Sequence, residues 1–139
     1  MFRIRGALAR SSSWLIRGVM PDLTSIDPAK LRQTVSALAG RLAVGDYDGL
    51  CGLARSSRLS AADVARVVRD YGRHLIALPA IAFDAVGVVP VAQSNPQRWS
   101  VVVPLWSREE GRSDLSLEIT VEDSATPAYA VEIDDLHVL

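Results

Sequence analysis

Cysteine, histidine and lysine are almost absent from this chain of 139 residues. The single cysteine, Cys51, permits no intramolecular disulfide, so nothing in the sequence favours an oxidising compartment, and we expect a cytoplasmic protein. With two histidines, His74 and His137, and one cysteine, no zinc-binding set can be assembled. Fourteen of the fifteen basic residues are arginine, a usage typical of a GC-rich bacterial genome, so we expect a bacterial source.

The motifs that carry common enzyme chemistry are also missing. No serine stands in a nucleophile-elbow pattern, and no glycine-rich phosphate-binding loop occurs. Glu109, Glu110 and Asp114 cluster in one loop, but they lack the spacing of a calcium loop and lie among arginines. We therefore predict no catalytic residue, no metal and no cofactor, and we favour a protein that is not an enzyme.

Charge is spread unevenly along the chain. Beyond residue 20, eleven basic and sixteen acidic residues give a net charge of −5. Residues 109–139 hold nine acids against Arg112 alone, a net charge of −8. Because an acidic body repels phosphate backbones, nucleic acid is excluded as the expected partner. Such a surface favours a basic partner, although it also serves solubility alone.

The remaining segments define one soluble domain. Residues 1–20 are rich in arginine and serine and contain no acid, and we interpret them as a disordered leader or a start assigned too early. Residues 75–92 are apolar apart from Asp84, but prolines and a glycine interrupt them, so we expect buried sheet and no membrane association. Residues 21–139 then form a single domain.

Three helices are predicted before residue 73. Asp27 and Pro28 start the first, which carries an apolar stripe at spacings of 4, 3 and 4. Asp46 starts a short second helix. Ser60 with Asp63 resembles a capping box for the third, which Gly72 ends.

From residue 81 the period changes to 2, which predicts hairpin-linked strands. We expect an α+β fold in which N-terminal helices pack on a curved antiparallel sheet of about four strands, beginning with 81–91. In the strand 99–106, Trp99 begins the face that turns inward. The other face is apolar too, through Val102, Pro104 and Trp106.

Two resemblances bear on these predictions. The order of elements over residues 27–139 is similar to the NTF2-like, cone-shaped group, in which helices pack into a curved sheet. The stretch VPLWSREEGRSDLSLEI, residues 103–119, and the ending IDDLHVL, residues 133–139, resemble an uncharacterised family of small bacterial proteins. That family carries no activity to transfer, and toxin-neutralising immunity proteins are an analogy only.

Three functions remain open. The first is an acidic binding module that meets a protein partner, either basic or a second copy in a homodimer, through its sheet face; the candidate residues are Val102, Trp106, Glu118 and Glu132. The second is a small-molecule pocket or enzyme of NTF2-like type, with Asp84 and Trp99 inside; outward alternation would instead put Asp84 in water. The third is a purely structural subunit.

Overall fold

The computed structural model describes residues 25–139. The predicted leader, residues 1–20, lies outside this range. The fold is α+β as expected, and all three α-helices precede the long strands, although the two-residue strand β1 lies between α2 and α3. The bounds of the helices are α1 Pro28–Ala43, α2 Tyr47–Leu53 and α3 Ala61–Tyr71, and those of the strands are β1 Ser56–Ser57, β2 Leu75–Ile76, β3 Gly87–Pro90, β4 Arg98–Ser107, β5 Gly111–Glu122 and β6 Ala130–Val138.

All three helices begin where the sequence predicts, because side chains satisfy their first amides. Asp27 accepts hydrogen bonds from the first turn of α1, and Asp46 accepts one from Gly49 in α2. Ser60 and Asp63 form the complete, reciprocal capping box of α3. Gly72 ends α3 with φ +76°, a left-handed conformation that side chains rarely adopt.

The strands form one curled, mixed sheet in the order β1-β6-β5-β4-β2, with β3 beside β2 on the same edge of β4. Antiparallel hairpins join β4, β5 and β6, whereas β1 runs parallel to β6. The prediction of about four antiparallel strands is therefore wrong in number: the described residues form six. The two additional strands, β1 and β2, have only two residues each, which is too short for a periodic signal.

The predicted strand over residues 81–85 is wrong as well. Ala80–Ala85 is a 3-10 helix that follows Pro79, and it buries Ala82 rather than the alternating Ile81 and Phe83. Three of its six residues are alanine, which strands do not favour, and five alternating residues are too few to separate the two structures. The extended stretch that follows is confirmed as β3.

The helices pack on one face of the sheet, called here the inner face. In β4 and β5, every second side chain points to this face and is nearly inaccessible to water. Leu38 and Leu42 of α1 pack into the same cluster. At one end Trp99 meets Tyr129 edge to face, with ring centroids 5.4 Å apart. Because this face is covered, the opposite, outer face is the surface that the long strands offer to other molecules.

Within residues 25–139, no helix combines the length and apolarity needed to cross a membrane.

Candidate functional site: the outer face of the sheet

The β2–β3–β4 side of the outer face is apolar. Register pairs Ile76 with Trp106 and places both side chains on this face. Val102 lies opposite Gly87, which has no side chain to cover it, and Val89 follows at 64 % exposure. Aliphatic and indole side chains therefore remain half-buried or exposed over three neighbouring strands.

Trp106 lies near the end of β4, at one side of this apolar half. Its indole Nε1 is shielded from water, and no hydrogen-bond partner for it exists among the described residues. The ring lies against Gly111, where an added Cβ would come within 3.6 Å of it. A buried N–H that donates to nothing costs about 1–3 kcal/mol. Because Nε1 is shielded, an acceptor on a second molecule would recover this free energy only if the indole ring turns toward it.

The β5–β6 side of the outer face is acidic, and its carboxylates divide into two groups. In the first group, Arg55 donates to Glu122 at 2.9 and 3.2 Å and to Glu132 at 3.0 Å. Arg98 donates to Glu132 at 2.7 Å. The pKa of Glu122 is lowered, chiefly by the hydrogen bond from Arg55, and the pKa of Arg55 is raised by the same bonds. Two arginines thus neutralise two glutamates.

The second group surrounds His137, which pairs across the sheet with Ser116. Its Nε2 lies 3.2 Å from Oε2 of Glu118, and its Nδ1 lies 2.9 Å from Oδ2 of Asp135. Asp134, set outward by a bulge, accepts a hydrogen bond of 2.7 Å from Thr120. Three carboxylates here face no arginine in any ion pair of the described residues, so the acid excess of the outer face lies at this group.

All four residues predicted to bind a protein lie on this outer face. Val102 and Glu118 are direct cross-strand partners, and Trp106 extends the apolar half. Glu132 does not offer a free charge, because two arginines hold it. Sequence reasoning missed Arg98 and Arg55. Alternation along β4 could have found Arg98, whereas Arg55 reaches the face through a parallel pairing that no local pattern reveals.

The residues predicted for a pocket are separated by the fold. Asp84 lies exposed on the 3-10 helix. It is in contact with water, as in the alternative given in the sequence analysis, and not inside a pocket. Trp99 is 3 % exposed and belongs to the core. A groove with a volume of about 320 Å³ does exist, but its lining includes neither residue; it consists of Pro28, Ala29, Leu31, Arg32, Phe83 and Val86.

The remaining chemistry-bearing side chains have structural partners. His74 contacts Glu109 at 2.5 Å, and its side-chain and backbone hydrogen bonds lower the pKa of Glu109 to about 2. Cys51 lies 3.7 Å from the carbonyl oxygen of Leu59. Within the described range, no three histidine, cysteine, aspartate or glutamate side chains are arranged to hold a metal ion.

Comparison with known proteins gives a family. No curated protein and no solved structure matches the chain, so the NTF2-like order and the bacterial source stay predictions. Residues 39–139 match the family described as Domain of unknown function (DUF7668). This range covers most of the chain, including α2, α3 and the entire sheet. The resemblance to an uncharacterised family is thereby confirmed, and the chain belongs to the DUF7668 family of domains of unknown function.

Proposed function

We propose that this domain is a protein-binding module that meets a basic protein through the outer face of its sheet. The observation that carries the proposal is the half-buried Trp106 beside the exposed Ile76, with an indole N–H that no described residue accepts. Tryptophan is enriched at the centres of protein interfaces, where its ring supplies contact area and its N–H supplies one directed bond.

Charge determines the kind of partner. The apolar half borders the carboxylates around His137, because Val102 of β4 is directly opposite Glu118 of β5. A partner that covers both halves would set apolar side chains on Trp106 and basic side chains beside Glu118 and Asp135. Complementary charges of this sort raise association rates and exclude acidic competitors. An immunity-type or accessory role is the analogy that fits such a module.

Capture of the partner from the native host by the tagged full chain tests the proposal. Trp106→Asp should reduce recovery of the partner at least about tenfold, as for an interface residue worth about 1.4 kcal/mol or more. Val44→Asp is the matched control: it adds the same charge at a residue that is 76 % exposed at the end of α1. Equal recovery by both variants would overturn the proposal.

Trp106→Phe separates the hydrogen bond from the apolar contact. Phenylalanine keeps an aromatic ring but removes the N–H, so the free domain should unfold at an unchanged or slightly higher temperature, because an unsatisfied donor is gone. Affinity for the captured partner should nevertheless fall. Titration calorimetry and a thermal melt measure the two effects separately, and unchanged affinity would show that the indole N–H meets no acceptor in the complex.

A small-molecule function is the alternative, and one observation favours it. The groove beside α1 places the Arg32 guanidinium 4.5 Å from the centre of the Phe83 ring, next in sequence to Asp84. An apolar lining with a single cation would suit a small organic anion. Native mass spectrometry of the purified chain tests this alternative: a co-purified mass that disappears in Arg32→Ala supports it, and a bare chain counts against it.

A further inference from the structure

Beyond Ile133, no described strand pairs with the edge of β6 that faces away from β5, here called the open edge, although α3 also contacts β6. β1 pairs with β6 only at Glu132 and Ile133, and the last bond between them runs from Arg58 N to Ile133 O at 2.9 Å. After this point the chain turns toward α3, while β6 continues to Val138. Beyond Ile133, no backbone hydrogen bond within the described part of the chain reaches the edge of β6 that faces away from β5.

Register fixes which backbone groups this edge presents. Leu139 N donates to Asp114 O of β5 at 3.0 Å. Because bonded residues alternate in antiparallel strands, Leu136 and Val138 direct their N–H and C=O groups away from β5. A bond that lies outside the ladder agrees with this: Leu136 N donates to the Asp135 carboxylate at 2.8 Å. Charged side chains commonly protect exposed edges in this way.

The side chains along the edge differ between its two faces. On the inner side, Val138 is 56 % exposed and would pack against an apolar neighbour. Asp135 and His137 alternate with Val138 along β6 and lie on the outer face, close to Glu118 and Asp134. In a strand added at this edge, every second side chain would therefore lie on the outer face, beside these carboxylates.

We propose that the open edge of β6, residues 134–138, takes up an extended segment of the partner as an additional strand, with basic and aliphatic side chains alternating along it. This deepens the proposed function and rests on it, because it names the partner's chemistry and its mode of binding. The incoming carbonyl replaces the Asp135 carboxylate at the Leu136 amide, and that carboxylate turns to an incoming cation. A second copy of β6 is disfavoured, because it would bring two acidic sets together.

A synthetic peptide of eight residues that alternates arginine and valine, capped at both ends, is the probe. Its affinity for the full chain is measured by fluorescence anisotropy. A version that is N-methylated at alternate residues loses its bonding edge, and a version with glutamate for arginine reverses its charge. We expect both versions to bind at least about tenfold more weakly than the parent peptide. Equal binding by the N-methylated peptide would overturn strand addition.

Two proline substitutions locate the peptide on the protein. Val138→Pro removes an amide that faces the open edge, whereas Leu139→Pro removes one that bonds to β5. Val138→Pro should weaken binding of the arginine–valine peptide about fivefold, the effect of one hydrogen bond, and Leu139→Pro should leave it within about twofold. Equal effects of the two substitutions would overturn the assignment. So would a peptide-free dimer, seen by light scattering, that Val138→Pro abolishes, since the occupant would then be a second copy.

The native partner separates the two proposals. Capture that is lost with Trp106→Asp but kept with Val138→Pro would leave the proposed function standing and overturn strand addition. The result expected is a recovery that falls about tenfold with Trp106→Asp and about fivefold with Val138→Pro, while Leu139→Pro retains the partner. Capture that survives both substitutions would overturn both proposals.

Discussion

The two faces of strands β4 and β5 differ although they share one backbone. Inward residues such as Val101, Leu117 and Ile119 are at most 1 % exposed and meet the helices. Outward neighbours such as Val102 and Glu118 keep part of their surface in water and meet one another. The inner face thus holds the domain together. The residues of the outer face contribute less to the stability of the fold and are available for contact with another molecule.

The outer face shows the same contrast on a smaller scale. Its arginine-paired group is internally compensated, whereas the group around His137 retains its charge. Compensated carboxylates offer little to a partner, since their charges are already met. A binding surface is therefore expected where apolar area borders uncompensated acid, which is the boundary between Val102 and Glu118.

The largest difference between the faces should appear in adjacent residues of β5. Leu117→Ala removes a fully buried side chain and should lower the free energy of unfolding by about 2–5 kcal/mol through lost burial and a cavity. Glu118→Ala, one position along, should change it by about 0.5 kcal/mol or less. Urea denaturation of both variants measures the pair. Comparable losses would mean that the outer face also holds the fold.

A smaller effect is expected from the arginine-paired group. Arg55→Met removes the cation shared by Glu122 and Glu132 while keeping an aliphatic stem. Since these pairs are partly exposed, salt screens them, and the loss of stability should be clear at low ionic strength and nearly vanish in 1 M salt. Denaturation at two salt concentrations checks this. The deficit of Leu117→Ala should persist in both, and a salt-independent deficit for Arg55→Met would contradict the screening argument.

The smallest effect is a dependence on pH. The folded-state pKa of Glu122 is lowered from its ordinary value of 4.5, chiefly by the hydrogen bond from Arg55. Its contribution to stability is therefore fully present above pH 4.5 and is lost as pH falls through the lowered pKa. Glu122→Gln should be less stable than the wild type at pH 7, and the two should converge in acid. A gap that stays constant down to pH 2 would contradict this.

Local signals in the sequence predicted the fold well where one residue decides a boundary. Asp27 and Ser60 cap helices through neighbouring amides, so their effect can be read without tertiary contacts. Alternation likewise assigned both faces of β4, including Trp106. The 3-10 helix at Ala80–Ala85 was missed because a short apolar run fits either structure.

The candidate site was less predictable, because its electrostatics depend on long-range pairing. Glu132 was expected to offer a charge, but Arg55 and Arg98 lie 77 and 34 residues away in sequence and hold it. The contact of His137 with Glu118 likewise requires the register of β5 against β6. Only folding brings such groups together.

The most direct test of the outer-face account observes the indole N–H of Trp106 itself. In ¹⁵N-labelled full chain, Trp106→Phe assigns that resonance, and Trp99, 3 % exposed in the core, is the internal reference. Saturation with the captured partner should shift the Trp106 resonance and slow its exchange with water, while Trp99 changes little. A saturated complex in which the Trp106 resonance neither shifts nor gains protection would contradict the account.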